Sequence, residues 1–186
     1  MKDLVVLTPA YYSDIRAIGY LLDSCRLLDV PLEPYGLGQP YLGWIAVKVH
    51  GLLPMLRGQQ DAGRTHFIYT DGGDSFFLAG MDEIVGKYQQ LGSPGILLSA
   101  EKDCYPISEI SLRFPDPGTP FRYINAGGFM GRIDVIAERL VLRIRPCSMT
   151  RSRPICCPLI VWKISQPLSI TAPGSSPSMN AAFHQA

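Results

Sequence analysis

Apolar positions in this chain fall into two kinds of pattern, short unbroken runs and longer stretches at helical spacing. Leu4-Val5-Val6-Leu7-Thr8 is an unbroken run, suited to a strand buried on both faces. A loop, Pro9 to Tyr12, follows it, and Ser13 is a plausible N-cap for a helix from Asp14 to about Asp29. Ile15, Ile18, Leu21, Leu22, Cys25 and Leu28 recur at helical spacing and make its buried face. Pro31 to Gly36 reads as a short second strand. Strand, helix and strand in this length form a βαβ unit, which predicts a parallel sheet with a right-handed crossover. The glycine-rich loop Gly38–Gly43 leads to a helix from about Trp44 to Leu56, with Ile45, Val49, Leu52, Leu53 and Leu56 inward. Phe67-Ile68-Tyr69 is a third strand, Met81 to Gln90 a third helix, and Ile96 to Ser99 a fourth strand. Residues 107–120 read as irregular. Phe121 to Asn125 reads as an extended segment that ends in the turn Ala126–Gly131, and a last helix covers Ile133 to Ile144.

This order is that of an α/β protein with an open, mostly parallel sheet and flanking helices, a Rossmann-like arrangement. Ligands in such folds sit beyond the carboxyl ends of the strands. Three polar loops follow expected strands and would gather on that edge: Asp71–Asp74, the loop after Glu101, and Asn125–Gly128.

The sharpest of the three is Asp71-Gly72-Gly73-Asp74, where an apolar run stops abruptly. Two carboxylates three positions apart on one turn can converge. Glycine's tolerance of positive φ would let the backbone fold beneath them. Hard divalent ions, Mn²⁺ or Mg²⁺, take oxygen ligands and commonly complete their shell with a substrate's phosphates. A plain Asp-Gly turn with solvated acids accounts for the same residues. Lys48, in the first turns of its helix, points either to solvent or to a phosphate near the helix N-terminus. Gly127 and Gly128 allow close backbone approach to a ligand, or simply a tight turn into a helix. Asn125 can hydrogen-bond a sugar hydroxyl, and Glu101 and Asp103 are either substrate contacts or solvated loop acids. His50 and His66 pair with no nucleophile in a recognised spacing. The chain contains no GxGxxG, GxxxxGK[ST] or GxSxG pattern.

Composition narrows the class. At 186 residues, 47% hydrophobic and 18% charged, the chain suits one folded domain. A net charge of +1 gives no support for a nucleic-acid or membrane-surface partner. No apolar run reaches transmembrane length and no signal peptide is evident, so cytoplasmic is the default expectation. The five cysteines form no CxxC pair and read as free thiols.

Three blocks together resemble a known family: Tyr69–Ala79, Ile96–Pro106 and Tyr123–Gly131. In order and spacing they look like the glycosyltransferase domain of the procollagen-lysine hydroxylase/glucosyltransferases and its stand-alone microbial relatives. The resemblance spans roughly residues 4–144. It implies a GT-A fold, a UDP-glucose or UDP-galactose donor, Mn²⁺ and a hydroxyl acceptor. It implies metal ligation by Asp71 and Asp74, and a donor-diphosphate role for Lys48. It also implies a uridine pocket lined by Thr8, Tyr69 and Thr70, and a donor-sugar turn formed by Asn125, Gly127 and Gly128. No stretch corresponds to the iron-dependent hydroxylase part. A catalytically inactive nucleotide-sugar-binding remnant or interaction protein is the competing expectation. The family continues with a paired-acid segment and a histidine that completes the metal site. Here His184 stands alone near the end, with no Asn-Gly neighbour, and is not assigned to the metal.

Charge marks a boundary in the same region. Through Ile144 the chain has 13 basic and 16 acidic residues, whereas residues 145–186 have four basic and none acidic. The same tail holds three of the five cysteines and six of the 16 prolines. It reads as a disordered or frame-shifted end on a truncated domain of residues 1–144, or as a natural partner-binding tail. If frame-shifted, one of the other two reading frames of the coding DNA will yield an acidic segment followed by a histidine motif. Two frames without them would contradict a frame shift.

Overall fold

The computed structural model describes residues 3–105 and 108–144, and the tail expected over 145–186 lies outside the described residues. Five strands form one sheet: β1 (Leu4–Pro9), β2 (Leu32–Tyr35), β3 (His66–Thr70), β4 (Ile96–Glu101) and β5 (Tyr123–Arg132). Their order is β2-β1-β3-β5-β4. β1 pairs in parallel with β2 and β3. β5 is antiparallel to both β3 and β4, so four strands point one way and β5 alone runs against them. The open, mostly parallel α/β sheet is therefore present, with a reversed strand inserted between β3 and β4.

The helices α1 (Gly19–Leu27), α2 (Leu52–Asp61), α3 (Met81–Gln90) and α4 (Ile133–Ile144) cover both faces. Alternation along β1 and β3 divides the core. Val5, Leu7, Phe67 and Tyr69 pack with Leu52, Leu56, Ile133 and Ile136 on one face. Leu4, Val6, Ile68 and Met130 pack with Leu21, Cys25, Val85 and Tyr88 on the other. Both faces of β1 and β3 are thus buried, which explains the unbroken apolar runs in their sequence. Each fully buried aliphatic or aromatic side chain contributes about 1.5–3 kcal/mol.

Besides a 3₁₀ helix at Ser108–Arg113, within the stretch expected to be irregular, local structure departs from the expected elements in three places. The first helix opens as a 3₁₀ turn, Ile15–Ile18, before α1. Its cap is Asp14 rather than Ser13: the Asp14 carboxylate accepts from the Arg16 backbone N–H at 2.8 Å. The helix expected from Trp44 contains a π-helical segment, Ala46–Gly51, and runs on to Asp61. Two tyrosines account for the wide turn. The Tyr35 hydroxyl donates to the Val47 carbonyl at 3.1 Å, offering it a partner outside the helix ladder. Gly51 leaves room for the Tyr11 hydroxyl, which any Cβ there would overlap. Such segments are frequent at functional sites.

The third departure is β5. The expected turn Asn125–Gly128 is part of the strand, which continues to Arg132. The glycines mark a bulge instead. β4 pairs Leu98 with Phe129 but Ser99 with Asn125, so Ala126, Gly127 and Gly128 have no partner on β4. They lie against β3, where Thr70 pairs with Gly128. Because β5 is antiparallel, its first residues lie at the carboxyl ends of β3 and β4. The three polar segments therefore meet on one edge as expected, but the third arrives as the start of a reversed strand.

Two glycines test this packing in opposite directions. At Gly131 a Cβ would overlap the Gly95 carbonyl oxygen and approach Ile96 Cα to 2.9 Å. At Gly58, in α2, a Cβ meets nothing within 4 Å. Urea denaturation of Gly131→Ala is expected to show a loss of about 1–3 kcal/mol, because backbone must move. Gly58→Ala is expected to gain up to about 1 kcal/mol from helix propensity. Equal effects at the two positions would contradict the close β4–β5 approach.

Candidate functional site

Asp71 follows the last residue of β3, the π-helical segment presents Lys48, and the β5 bulge presents Ala126. Lys48 Nζ joins all three. It donates to Asp71 Oδ2 at 2.7 Å and to the Ala126 carbonyl at 3.2 Å. Both side chains are largely buried, at 21% and 26% exposure for Lys48 and Asp71. The other Asp71 oxygen accepts from the Tyr69 hydroxyl at 3.1 Å. Burial pushes the Tyr69 phenol far above its ordinary pKa, with Tyr35 and the Asp71 charge adding to the effect, so it stays a donor. Tyr69 is itself fully buried and stacked on Phe129 at 4.5 Å.

The bulge is tied down from the other side. The Asp71 backbone N–H donates to the Gly127 carbonyl at 2.9 Å. Asn125 Oδ1 accepts from the Gly127 N–H at 2.6 Å, and its amide donates to Glu101 Oε2 at 3.2 Å. One network thus runs from Glu101 through Asn125 and the Gly127 backbone to Asp71 and Lys48. Bulges recur beside active sites because they re-aim backbone groups that a regular ladder would consume.

The Asp71–Asp74 turn is compressed against β1. A Cβ at Gly72 would lie 2.7 Å from Ile18 Cγ2, 2.9 Å from the Pro9 carbonyl and 3.0 Å from Thr8 Oγ1. Neither Gly72 nor Gly73 has positive φ, so close approach, not left-handed backbone, is what demands glycine at position 72. Beneath the turn, Thr8 is fully buried and its hydroxyl has no hydrogen-bond partner. An unpaired buried hydroxyl costs about 1–3 kcal/mol and is a place where a ligand group or water would be gained cheaply. Thr70 is also buried, 2% exposed. At the outer end of the turn Asp74 is exposed, and Gly73 lies under the Tyr12 hydroxyl, 3.0 Å from where a Cβ would stand.

The structure thus gathers Lys48, Tyr69, Asp71, Asn125 and Gly127 in direct contact, with Gly128 paired to Thr70 and Thr8 beneath the turn. Asp74 shares the turn without joining the network. Asp103 is exposed and outside it, as is His50. Glu101, weighed in the sequence as either a substrate contact or a solvated loop acid, belongs to the network through Asn125. Its place at the end of a strand was the available signal. The Ala126 carbonyl carried none, because a backbone acceptor is invisible in residue identity.

Among the described residues no group of three or more His, Cys, Asp or Glu side chains could hold a metal ion. The donor chemistry nonetheless fits a hard divalent ion. Each Asp71 oxygen accepts one hydrogen bond and keeps a free lone pair, and Asp74 is exposed. Two carboxylates suffice for an ion that draws its remaining ligands from phosphate and water.

The family described as the PLOD GT domain matches residues 1–144. The procollagen-lysine,2-oxoglutarate 5-dioxygenase of Drosophila melanogaster is 30% identical over 125 residues, covering 63% of this chain and 17% of that protein. The human multifunctional procollagen lysine hydroxylase and glycosyltransferase LH3 is 29% identical over 139 residues, covering 70% of this chain and 18% of that protein. The chain therefore spans under a fifth of the length of these two relatives. A solved glycosyltransferase involved in glycosylation of the major capsid of PBCV-1 is 12% identical, with 75% of this chain and 64% of that chain covered and a TM-score of 0.45.

The bulge network predicts an order of stability losses. Asn125→Ala removes the acceptor for Gly127 N–H and is expected to cost about 1–3 kcal/mol in urea denaturation. Glu101→Gln keeps an acceptor for the Asn125 amide and is expected to cost under about 1 kcal/mol. A Glu101→Gln loss as large as that of Asn125→Ala would contradict the geometry.

Proposed function

The chain belongs to the PLOD GT domain family, and on that footing we propose that it transfers a hexose from a UDP-sugar to a hydroxyl acceptor with the help of Mn²⁺ or Mg²⁺. The fold is GT-A-like, and its polar edge lies where open α/β sheets take their ligands. The observation that carries the reading is the contact of Lys48, Asp71 and the β5 bulge at the ends of three elements.

Asp71 and Asp74 would hold the ion. When bound, it supplies neutralisation of the charge that builds on the departing UDP. The chain's own residues do the rest. Lys48 brings a cation, anchored on the Ala126 carbonyl, to the diphosphate side of the site. Tyr69 holds the Asp71 carboxylate in place by its hydroxyl. Asn125, fixed by Glu101 on one side and Gly127 on the other, presents the bulge to the donor sugar with no side chain at Gly127 or Gly128 to obstruct it. Thr8 and Thr70, buried beneath the turn, would form the floor towards the uridine. UDP-glucose and UDP-galactose are the donors this reading takes.

The relatives' names pair procollagen lysine hydroxylation with glycosyl transfer, so a collagen-like peptide bearing hydroxylysine is the first acceptor to offer. With Mn²⁺ present, the wild-type chain is expected to release UDP from one of the two donors and add its hexose to the peptide. Asp74→Ala is expected to lower kcat/KM by roughly a hundredfold or more. Donor binding without transfer to any hydroxyl acceptor would make the chain a nucleotide-sugar-binding protein instead.

A further inference from the structure

Lys48 and a divalent ion make claims on the same carboxylate. In this structure Asp71 is already charge-paired: Lys48 Nζ lies 2.7 Å from Oδ2, in a partly buried setting where screening is weak. An ion on Asp71 would put two further positive charges beside the ammonium, and the pair would become a repulsion. Lys48 has somewhere to remain. Its second contact is a neutral acceptor, the Ala126 carbonyl at 3.2 Å, and its third neighbour is the Tyr69 ring, whose centroid is 5.9 Å away. Neither contact involves the Asp71 carboxylate. The wide turn of the π-helical segment holds the root of the side chain at the sheet edge, fixed by Tyr35 and by the Tyr11–Gly51 contact.

We propose that Lys48 and a divalent cation exchange on Asp71: the ammonium occupies the carboxylate before the ion arrives, and is released from it towards the donor diphosphate when the ion binds. This rests on the metal-dependent reading above. Its consequence is a pair of effects of opposite sign from one side chain. Lys48 opposes the ion when no nucleotide is present, and assists UDP once the ion is bound. A residue needed only for packing would weaken both.

The test measures Mn²⁺ affinity by electron paramagnetic resonance of the free ion, and UDP affinity by calorimetry at saturating Mn²⁺, for the wild type and for Lys48→Met. Without nucleotide, Lys48→Met is expected to bind Mn²⁺ roughly threefold or more tightly, because a competing charge is gone. With Mn²⁺ saturating, it is expected to bind UDP roughly fivefold or more weakly. Unchanged or weaker Mn²⁺ binding by a folded Lys48→Met overturns the exchange and leaves the metal-dependent reading standing. A wild type that binds no Mn²⁺, with or without UDP, overturns both. A second measurement needs no variant. Acylation of Lys48 in the wild-type chain, read by peptide mass spectrometry, is expected to quicken when Mn²⁺ is added and to slow when UDP follows. A Lys48 acylation rate indifferent to Mn²⁺ overturns the proposal even if Lys48→Met does not fold.

Discussion

One ammonium group ties together the functional edge of this protein. Lys48 comes from a helix, Asp71 from the end of a central strand and Ala126 from a bulge on a strand of opposite direction, and Lys48 Nζ contacts both of the others. A lysine whose ammonium stood in water would be an ordinary surface residue. Held at 21% exposure against a carboxylate and a carbonyl, it requires its surroundings to be arranged for it. The π-helical turn, the β5 bulge and the glycine at position 72 all serve that arrangement.

The reversed strand supplies what a fully parallel sheet could not. In a regular ladder β5 would give its backbone groups alternately to β3 and β4. The register shift between Leu98 and Ser99 frees Ala126, Gly127 and Gly128 from β4 and presses them on β3 beside Asp71. Asn125 and Glu101 then hold the displaced backbone from the β4 side, where the ladder is interrupted, while β3 still pairs with it. Pre-organised polar groups of this kind are what charge-developing reactions exploit, since they need no rearrangement as the reaction proceeds.

Much of this was legible in the sequence. The buried strands β1 and β3 announced themselves as unbroken apolar runs, and α3 and α4 fall at Met81–Gln90 and Ile133–Ile144, as their periodicity predicts. The meeting of three polar segments on one edge was legible too, because it needs only strand order and direction. The course of β5 was not. Two glycines after Asn125 look like a turn, and only the pairing partners on both sides reveal that the chain continues straight through them. The π-helical segment was hidden for a similar reason: it depends on Tyr35 and Tyr11, distant in sequence from the helix they widen. The residues read as a uridine pocket, Thr8, Tyr69 and Thr70, are buried, and Tyr69 packs with Val5, Leu7 and Phe67 while Thr8 lies under Gly72, a placement that residue type does not convey.

No helix among the described residues is long and apolar enough to cross a membrane. On the proposed function, the Lys48–Asp71–Ala126 contact is where a nucleotide's diphosphate would be read. Calorimetric titration with UDP and with uridine, both at saturating Mn²⁺, tests it most directly. UDP is expected to bind roughly a hundredfold or more tightly than uridine, since the phosphates supply the charged contacts. Equal affinity for the two, or no affinity for either, would contradict it.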